Sequence, residues 1–292
     1  MRTALLLARL AILAALLLFV ADARAEAPAH PWSEVDPHVA TDIAAGHPLV
    51  TLVVVPLCSN EQIDCGSPIA GRPGDLEHNL YWGAVFGQRR FFERKNSGWT
   101  RVELTGGDGV LLERAIYRRE VPGGPWGKAA TVEQLVVLEA YHGAQIDRAL
   151  GRFFRLSGRG GRVRFDDGGK QRDERVHVAG YAGHDRLMDG VAIPSFGEAT
   201  PGSAAVSSFV MACYSEGYFG APLRRAGSAP LVMTRALMAP EGYVVDAMAR
   251  ALADNAPRAE LRASVVAAYA KWQRLGTGVV GGMFAKVGDV TP

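Results

Sequence analysis

The chain has 292 residues, 48% of them hydrophobic and 21% charged, with 34 glycines, 16 prolines and 3 cysteines. This composition excludes a disordered tail protein, a coiled coil, a collagen-like chain and a disulfide-dense miniprotein, and the length suits one large α/β domain or two small ones. A formal net charge of +2 lacks the electrostatic footprint of a nucleic-acid binder.

The N-terminus reads as an export signal. Arg2 supplies a positive start, Leu10 to Val20 is an unbroken apolar run, and Ala23-Arg24-Ala25 gives a small-x-small cleavage pattern. The run is too short to span a bilayer as a helix, so residues 1–25 are expected to be a removable leader. The mature protein is then expected to be exported, periplasmic or secreted, with no further membrane association. Removing Arg2, Arg9, Arg24 and Asp22 leaves 29 basic and 29 acidic residues. The basic stretch from Arg152 to Arg175 is interleaved with Asp166, Asp167, Asp173 and Glu174 and reads as a solvated hairpin or loop.

In chain order, residues 26–46 carry Pro and His without sustained periodicity and read as an N-terminal arm. Leu49 to Pro56 is a β-branched run apolar on both faces, the pattern of a buried central strand. A turn-rich loop follows to Pro73, and Leu76 to Phe92 reads as a helix. Trp99 to Leu104 and Val110 to Arg118 are extended candidates around a Gly106–Gly109 turn. Gln134 to Tyr141 is an apolar strand, and Gly143 to Leu156 its following helix. Val176 to Tyr181, Val206 to Ala212 and Leu231 to Met233 are further strands. Helices over Glu241–Asn255 and from Pro257 through Trp272 close the pattern. The alternation predicts a mostly parallel sheet in a three-layer α/β/α sandwich, one domain over 47–292 whose C-terminal helical pair occupies 241–275.

In such sheets chemistry collects at the carboxyl ends of the strands. One strand runs into Gly183-His184-Asp185, and another ends at Ala212-Cys213-Tyr214-Ser215. If the two are parallel neighbours, His184 and Cys213 emerge together, and a thiol beside an imidazole is a working nucleophile for acyl transfer. Cys58 and Cys65 share one loop at a spacing that can close a disulfide ring in an oxidising compartment. That leaves Cys213 as the odd thiol, either a small core residue or a nucleophile. His184, Asp185, Asp189 and His177 are the only grouping that hints at a metal. No HExxH, paired CxxC, GxSxG elbow or P-loop ending occurs, so no metal and no cofactor is assigned. Ser195 is a poor substitute for a serine nucleophile. His142 ends a strand and reads as a turn residue.

An apolar strand ending in Gly-His, followed some thirty residues later by one ending in Ala-Cys, resembles the caspase-like clan of cysteine peptidases, which includes caspases, legumains, gingipains and the glycolipid-anchor transamidase. The stretch Ala212 to Phe219 (ACYSEGYF) is similar to the legumain segment around its nucleophile. The resemblance covers about 170 residues, from Leu49 to roughly Met238, and only the two short motifs are specific. It implies a caspase-like sandwich, Cys213 as nucleophile, His184 as general acid/base and the backbone N–H of Asp185 in the oxyanion hole. The clan usually has Gly where this chain has Asp185. A carboxylate turned inward there would raise the thiol pKa or occlude the hole. The segments LYWGAVFG, GHDRLMDG and LMAPEGY also resemble a family of uncharacterised exported bacterial proteins.

The leading expectation is an exported cysteine-dependent peptidase or amidase acting on a peptide or protein substrate through a His184–Cys213 dyad. The alternatives are a non-catalytic exported module that binds a partner or ligand at the strand-end rim, and a metal-dependent hydrolase built on His184 and its carboxylates. Specificity and oligomeric state are not legible in the sequence.

Overall fold

The computed structural model describes residues 30–198 and 204–290, and the expected leader, 1–25, lies outside the described residues. From Pro31 onward the chain forms one unit. Its strands are β1 (Leu49–Pro56), β2 (Thr100–Gly106), β3 (Leu111–Val121), β4 (Val132–Tyr141), β5 (Arg162–Asp167), β6 (Lys170–Arg175), β7 (Val178–Ala182), β8 (Ser207–Met211) and β9 (Pro230–Val232). Seven of them form one sheet of order β2-β3-β4-β1-β7-β8-β9, while β5 and β6 pair as a separate hairpin. The pairings β4–β1, β1–β7, β7–β8 and β8–β9 are parallel, and β2–β3–β4 is an antiparallel edge. The fold is therefore α/β with a mixed, mostly parallel sheet. The helices are α1 (Pro37–Ala44), α2 (Gln88–Phe92), α3 (Ile146–Arg159), α4 (Ser215–Arg225), α5 (Gly242–Ala253), α6 (Arg258–Gln273), α7 (Thr277–Met283) and α8 (Val287–Val290).

Every residue of β1 is buried, because side chains alternate between the faces of a strand and both faces of this one are covered. Leu49, Val53 and Val55 join a cluster with Val39 and Ile43 of α1, Val245 and Leu252 of α5, and Leu261 and Val265 of α6. Val50, Leu52 and Val54 join a second cluster with Leu150, Phe153 and Phe154 of α3 and Phe219 and Leu223 of α4. An eight-residue run of Leu, Thr, Val and Pro in mid-sheet is the consequence: no polar alternation is needed where no face meets water.

One expectation is corrected and two are refined. The N-terminal arm is not irregular throughout, since Asp36 caps α1 by accepting from the His38 N–H at 3.0 Å, and Trp32, Val39 and Ile43 are buried in the core. The segment 76–92 is not one helix, and only Gln88–Phe92 is helical. Two residues override its apolar spacing. The buried Asn79 side chain accepts from the backbone N–H groups of Cys58 and Tyr81 and donates to the carbonyls of Cys58 and Arg72, tying this stretch into turns. Gly83 then passes so close to the carbonyls of Leu76 and Glu77 that a Cβ would sit 2.3 Å from each oxygen. Finally, α4 follows β8 directly, and α7 and α8 extend the chain beyond the expected helical pair.

Candidate functional site

Parallel pairing turns the carboxyl ends of β4, β1, β7 and β8 to one rim. Ala182 pairs with Met211, and the Gly183 N–H donates to the Met211 carbonyl at 3.2 Å. His184 and Cys213, each two residues beyond that pair, leave the sheet as neighbours. The exit from β7 runs hard against the end of β1: a Cβ on Gly183 would lie 2.6 Å from Cγ of Pro56, a clash only glycine avoids.

The His184 ring is held in place. Its Nε2 lies 2.9 Å from Asp189 Oδ2, its side chain is only 11% exposed, and its carbonyl accepts from the Tyr181 hydroxyl at 2.8 Å. Burial raises the Asp189 pKa, but hydrogen bonds from His184 and Arg186 outweigh it and hold the carboxyl below its ordinary value. Asp189 therefore stays ionised and takes an N–H from Nε2, which leaves Nδ1 as the proton-accepting nitrogen. Sequence reasoning grouped Asp189 only with a metal set. Its orienting role arises because a 3-10 turn over Arg186–Asp189 folds it back onto the histidine.

Asp185 builds that turn. It is fully buried, and its Oδ1 accepts from the N–H groups of Leu187 and Met188 at 3.0 and 3.3 Å, while Oδ2 has no hydrogen-bond partner among the described residues. Burial pushes its pKa up to about 7, against the pull of those two N–H groups, and the charge of Asp189 adds to the rise. The carboxylate is thus turned inward, into its own turn. It does not line the cavity described below, and its charge reaches the thiol.

Cys213 is the one free cysteine and is half-buried. Burial is the main cause of its raised pKa and the charge of Asp185 a lesser one; the Met238 backbone opposes both. That backbone contacts the sulfur twice, with the Met238 N–H 3.4 Å from Sγ and the Met238 carbonyl 3.6 Å from it. The segment from Thr234 to Met238 is itself laced to the end of β8. The Ser215 hydroxyl lies 3.1 Å from that of Thr234, the Tyr214 N–H donates to the Ala236 carbonyl at 3.1 Å, and the Glu216 N–H to the Thr234 carbonyl at 3.0 Å. Tyr214, between Cys213 and α4, sits in the left-handed region at φ 50°, a conformation uncommon for a bulky residue.

Gly183, His184 and Cys213 open onto a cavity of about 500 Å³ that is walled by Ile63, Leu80, Tyr81, Leu237, Met238 and Tyr269. Neither Tyr214 nor Arg186 enters it; Arg186 is bound to Asp147 and Asp189 instead. The Cys58–Cys65 disulfide closes the loop that presents Ile63. Losing this short ring removes a constraint on the unfolded chain worth about 2–3 kcal/mol. The double substitution Cys58→Ser/Cys65→Ser is therefore expected to lower the denaturation midpoint by that equivalent, as read by urea titration.

His177 lies before β7, at the opposite end of that strand from His184. It accepts from the Val50 N–H at 3.1 Å and contacts Asp42 at 3.2 Å, and burial lowers its pKa against the effect of Asp42. It is a core histidine. The four residues suggested for a metal do not converge, and no group of three or more metal-capable side chains occurs among the described residues. His142 accepts from the Ala144 N–H at 3.2 Å, capping a turn. Trp82 is buried and donates to Glu113 at 2.7 Å. Among the described residues, no helix is long and apolar enough to cross a membrane.

No protein-family model, curated protein or solved structure gives a significant match to this chain. The class that fold and site define is thus an α/β protein with a mostly parallel seven-stranded sheet and a cysteine–histidine pair at its carboxyl rim.

Proposed function

We propose that this protein is an exported cysteine-dependent peptidase or amidase of caspase-like, three-layer architecture. One observation carries the reading: Cys213 and His184 leave adjacent parallel strands into the same cavity, with the histidine ring oriented by a carboxylate. In this reading the thiol is protonated at rest, as its raised pKa requires, and loses its proton to His184 Nδ1 as the sulfur attacks the substrate carbonyl. The new C–S bond forms and the C–N bond breaks, His184 passing the proton to the departing amine. Water then hydrolyses the thioester with His184 as base and regenerates the thiol. Asp189 acts through His184, fixing its tautomer and the orientation of its ring. The oxyanion donor that the caspase-like resemblance implies, the Asp185 backbone N–H, belongs to a fully buried residue outside the cavity lining, and no other donor is assigned in its place. The disulfide and the leader-like N-terminus support export.

A second reading, a non-catalytic module binding a ligand at this rim, is favoured by the raised pKa of Cys213, which opposes a resting thiolate. Alkylation of Cys213 by iodoacetamide across pH 5 to 9, in wild type and His184→Ala, separates the two. The enzyme requires labelling that collapses in the variant. Slow labelling, indifferent to the substitution, would leave the binding module.

A further inference from the structure

We propose that the cavity beside Cys213 receives a bulky, uncharged apolar side chain, belonging to the residue whose carbonyl the thiol attacks. The inference rests on the cysteine-dependent reading above and names its substrate class.

The cavity shares its lining with both reacting side chains, so a carbonyl placed at the sulfur directs its own side chain inside. Its volume of about 500 Å³ lies within the roughly 300–1,000 Å³ range of ligand sites, ample for a Phe, Leu or Met side chain. The walls are Ile63, Leu80, Tyr81, Leu237, Met238 and Tyr269, and among the described residues no Lys or Arg lines it. The one carboxylate at its edge, Asp64, is exposed, and its Oδ1 already accepts from the Gly66 N–H at 2.8 Å. The Tyr269 hydroxyl is likewise engaged, accepting from the Ala239 N–H at 3.0 Å. A charged side chain entering here would give up its water for mainly apolar walls, with only the exposed Asp64 at the edge to offset a cation, whereas an apolar one gains simply by leaving water.

The test uses the full mature protein and a matched set of tripeptidyl chloromethyl ketones that differ only in the residue carrying the ketone: Phe, Leu, Asp, Asn, Lys or Gly. Inactivation requires no turnover: the C–S bond forms at the methylene, chloride leaves, and the thiol proton passes to His184. Intact mass reads the rate. The Phe and Leu reagents are expected to inactivate roughly 100-fold faster than the Asp and Lys reagents. Iodoacetamide, which does not need the cavity, is run alongside in wild type and His184→Ala. Iodoacetamide labelling that depends on His184, with ketone rates flat or led by Asp, Asn, Lys or Gly, overturns this inference and leaves the dyad standing. Labelling indifferent to His184 overturns both. A second variant guards the assignment of the wall. Leu237 is 63% exposed, so Leu237→Asp threatens little of the core. It is expected to raise the Lys-to-Phe ratio by about tenfold; an unchanged ratio would show that the side chain is bound elsewhere.

Discussion

Asp185→Asn is expected to remove a stability loss of about 4 kcal/mol that the native protein undergoes as pH rises from about 4 to about 7. The carboxyl is raised from 3.8 to about 7, chiefly by burial. Below the lower value it is protonated in both the folded and unfolded chain, and the folded state is not penalised. Between the two values the unfolded chain releases a proton that the folded chain retains, so unfolding gains steadily with pH. Above about 7 both states are ionised and the loss is complete. The asparagine oxygen can still accept from the Leu187 and Met188 N–H groups, so the turn that carries Asp189 is retained. Urea denaturation of both proteins at pH 5 and pH 8 reads the difference directly. Equal pH slopes in the two proteins would mean that the Asp185 charge is not buried as described. The same substitution removes a negative charge that holds the Cys213 pKa up, so labelling of the thiol at pH 8 is expected to quicken.

Phe219→Ala is expected to cost about 3–5 kcal/mol. Phe219 is fully buried on α4, stacked on Phe154 at 5.7 Å between ring centroids, and lies 5.6 Å from the Tyr181 ring and 6.0 Å from that of Phe153. The quartet joins the helix that follows Cys213 to the strand that precedes His184 and to α3. A hole there removes apolar contacts and also loosens the wedge that sets the two strand ends side by side. Chemical denaturation should show the full loss at unchanged m-value. The neighbouring Tyr218 is 41% exposed, and Tyr218→Ala is expected to change stability by no more than about 0.5 kcal/mol. A comparable loss in both variants would mean that Phe219 is no special anchor.

The strands were legible because their signal is local. Leu49–Pro56 needs no partner to reveal itself, since a short β-branched apolar run bounded by polar and turn residues has the pattern of a strand covered on both faces. The Cys58–Cys65 ring and the leftover thiol follow from counting and spacing. The placement of His184 and Cys213 at the ends of adjacent strands was legible only as a condition, because strand order is not written in either strand. The β7–β8 register supplies it through Ala182 and Met211.

What was not legible depended on residues far away or on a turn whose closure rests on one buried side chain. The apolar spacing from Leu76 to Phe92 mimics a helix, yet the Asn79 amide bonds Cys58, twenty-one residues earlier, and outweighs it. Asp189 reads from sequence only as a member of a possible metal set, and it is the turn capped by Asp185 that brings it to the histidine. Asp185 faces its own backbone because the Leu187 and Met188 N–H groups take up its Oδ1.

By itself, then, the amino-acid order determined the central strands, the ring-closing cysteines and the two residues worth watching, because burial periodicity and thiol arithmetic act within a few residues. Tertiary structure alone decided that His184 has an orienting carboxylate, that the thiol is bracketed by the Met238 backbone, and that the cavity between them is apolar. The last two are contacts between segments widely separated in the chain, set by how the sheet orders its strands; the first is a five-residue turn held by the buried Asp185.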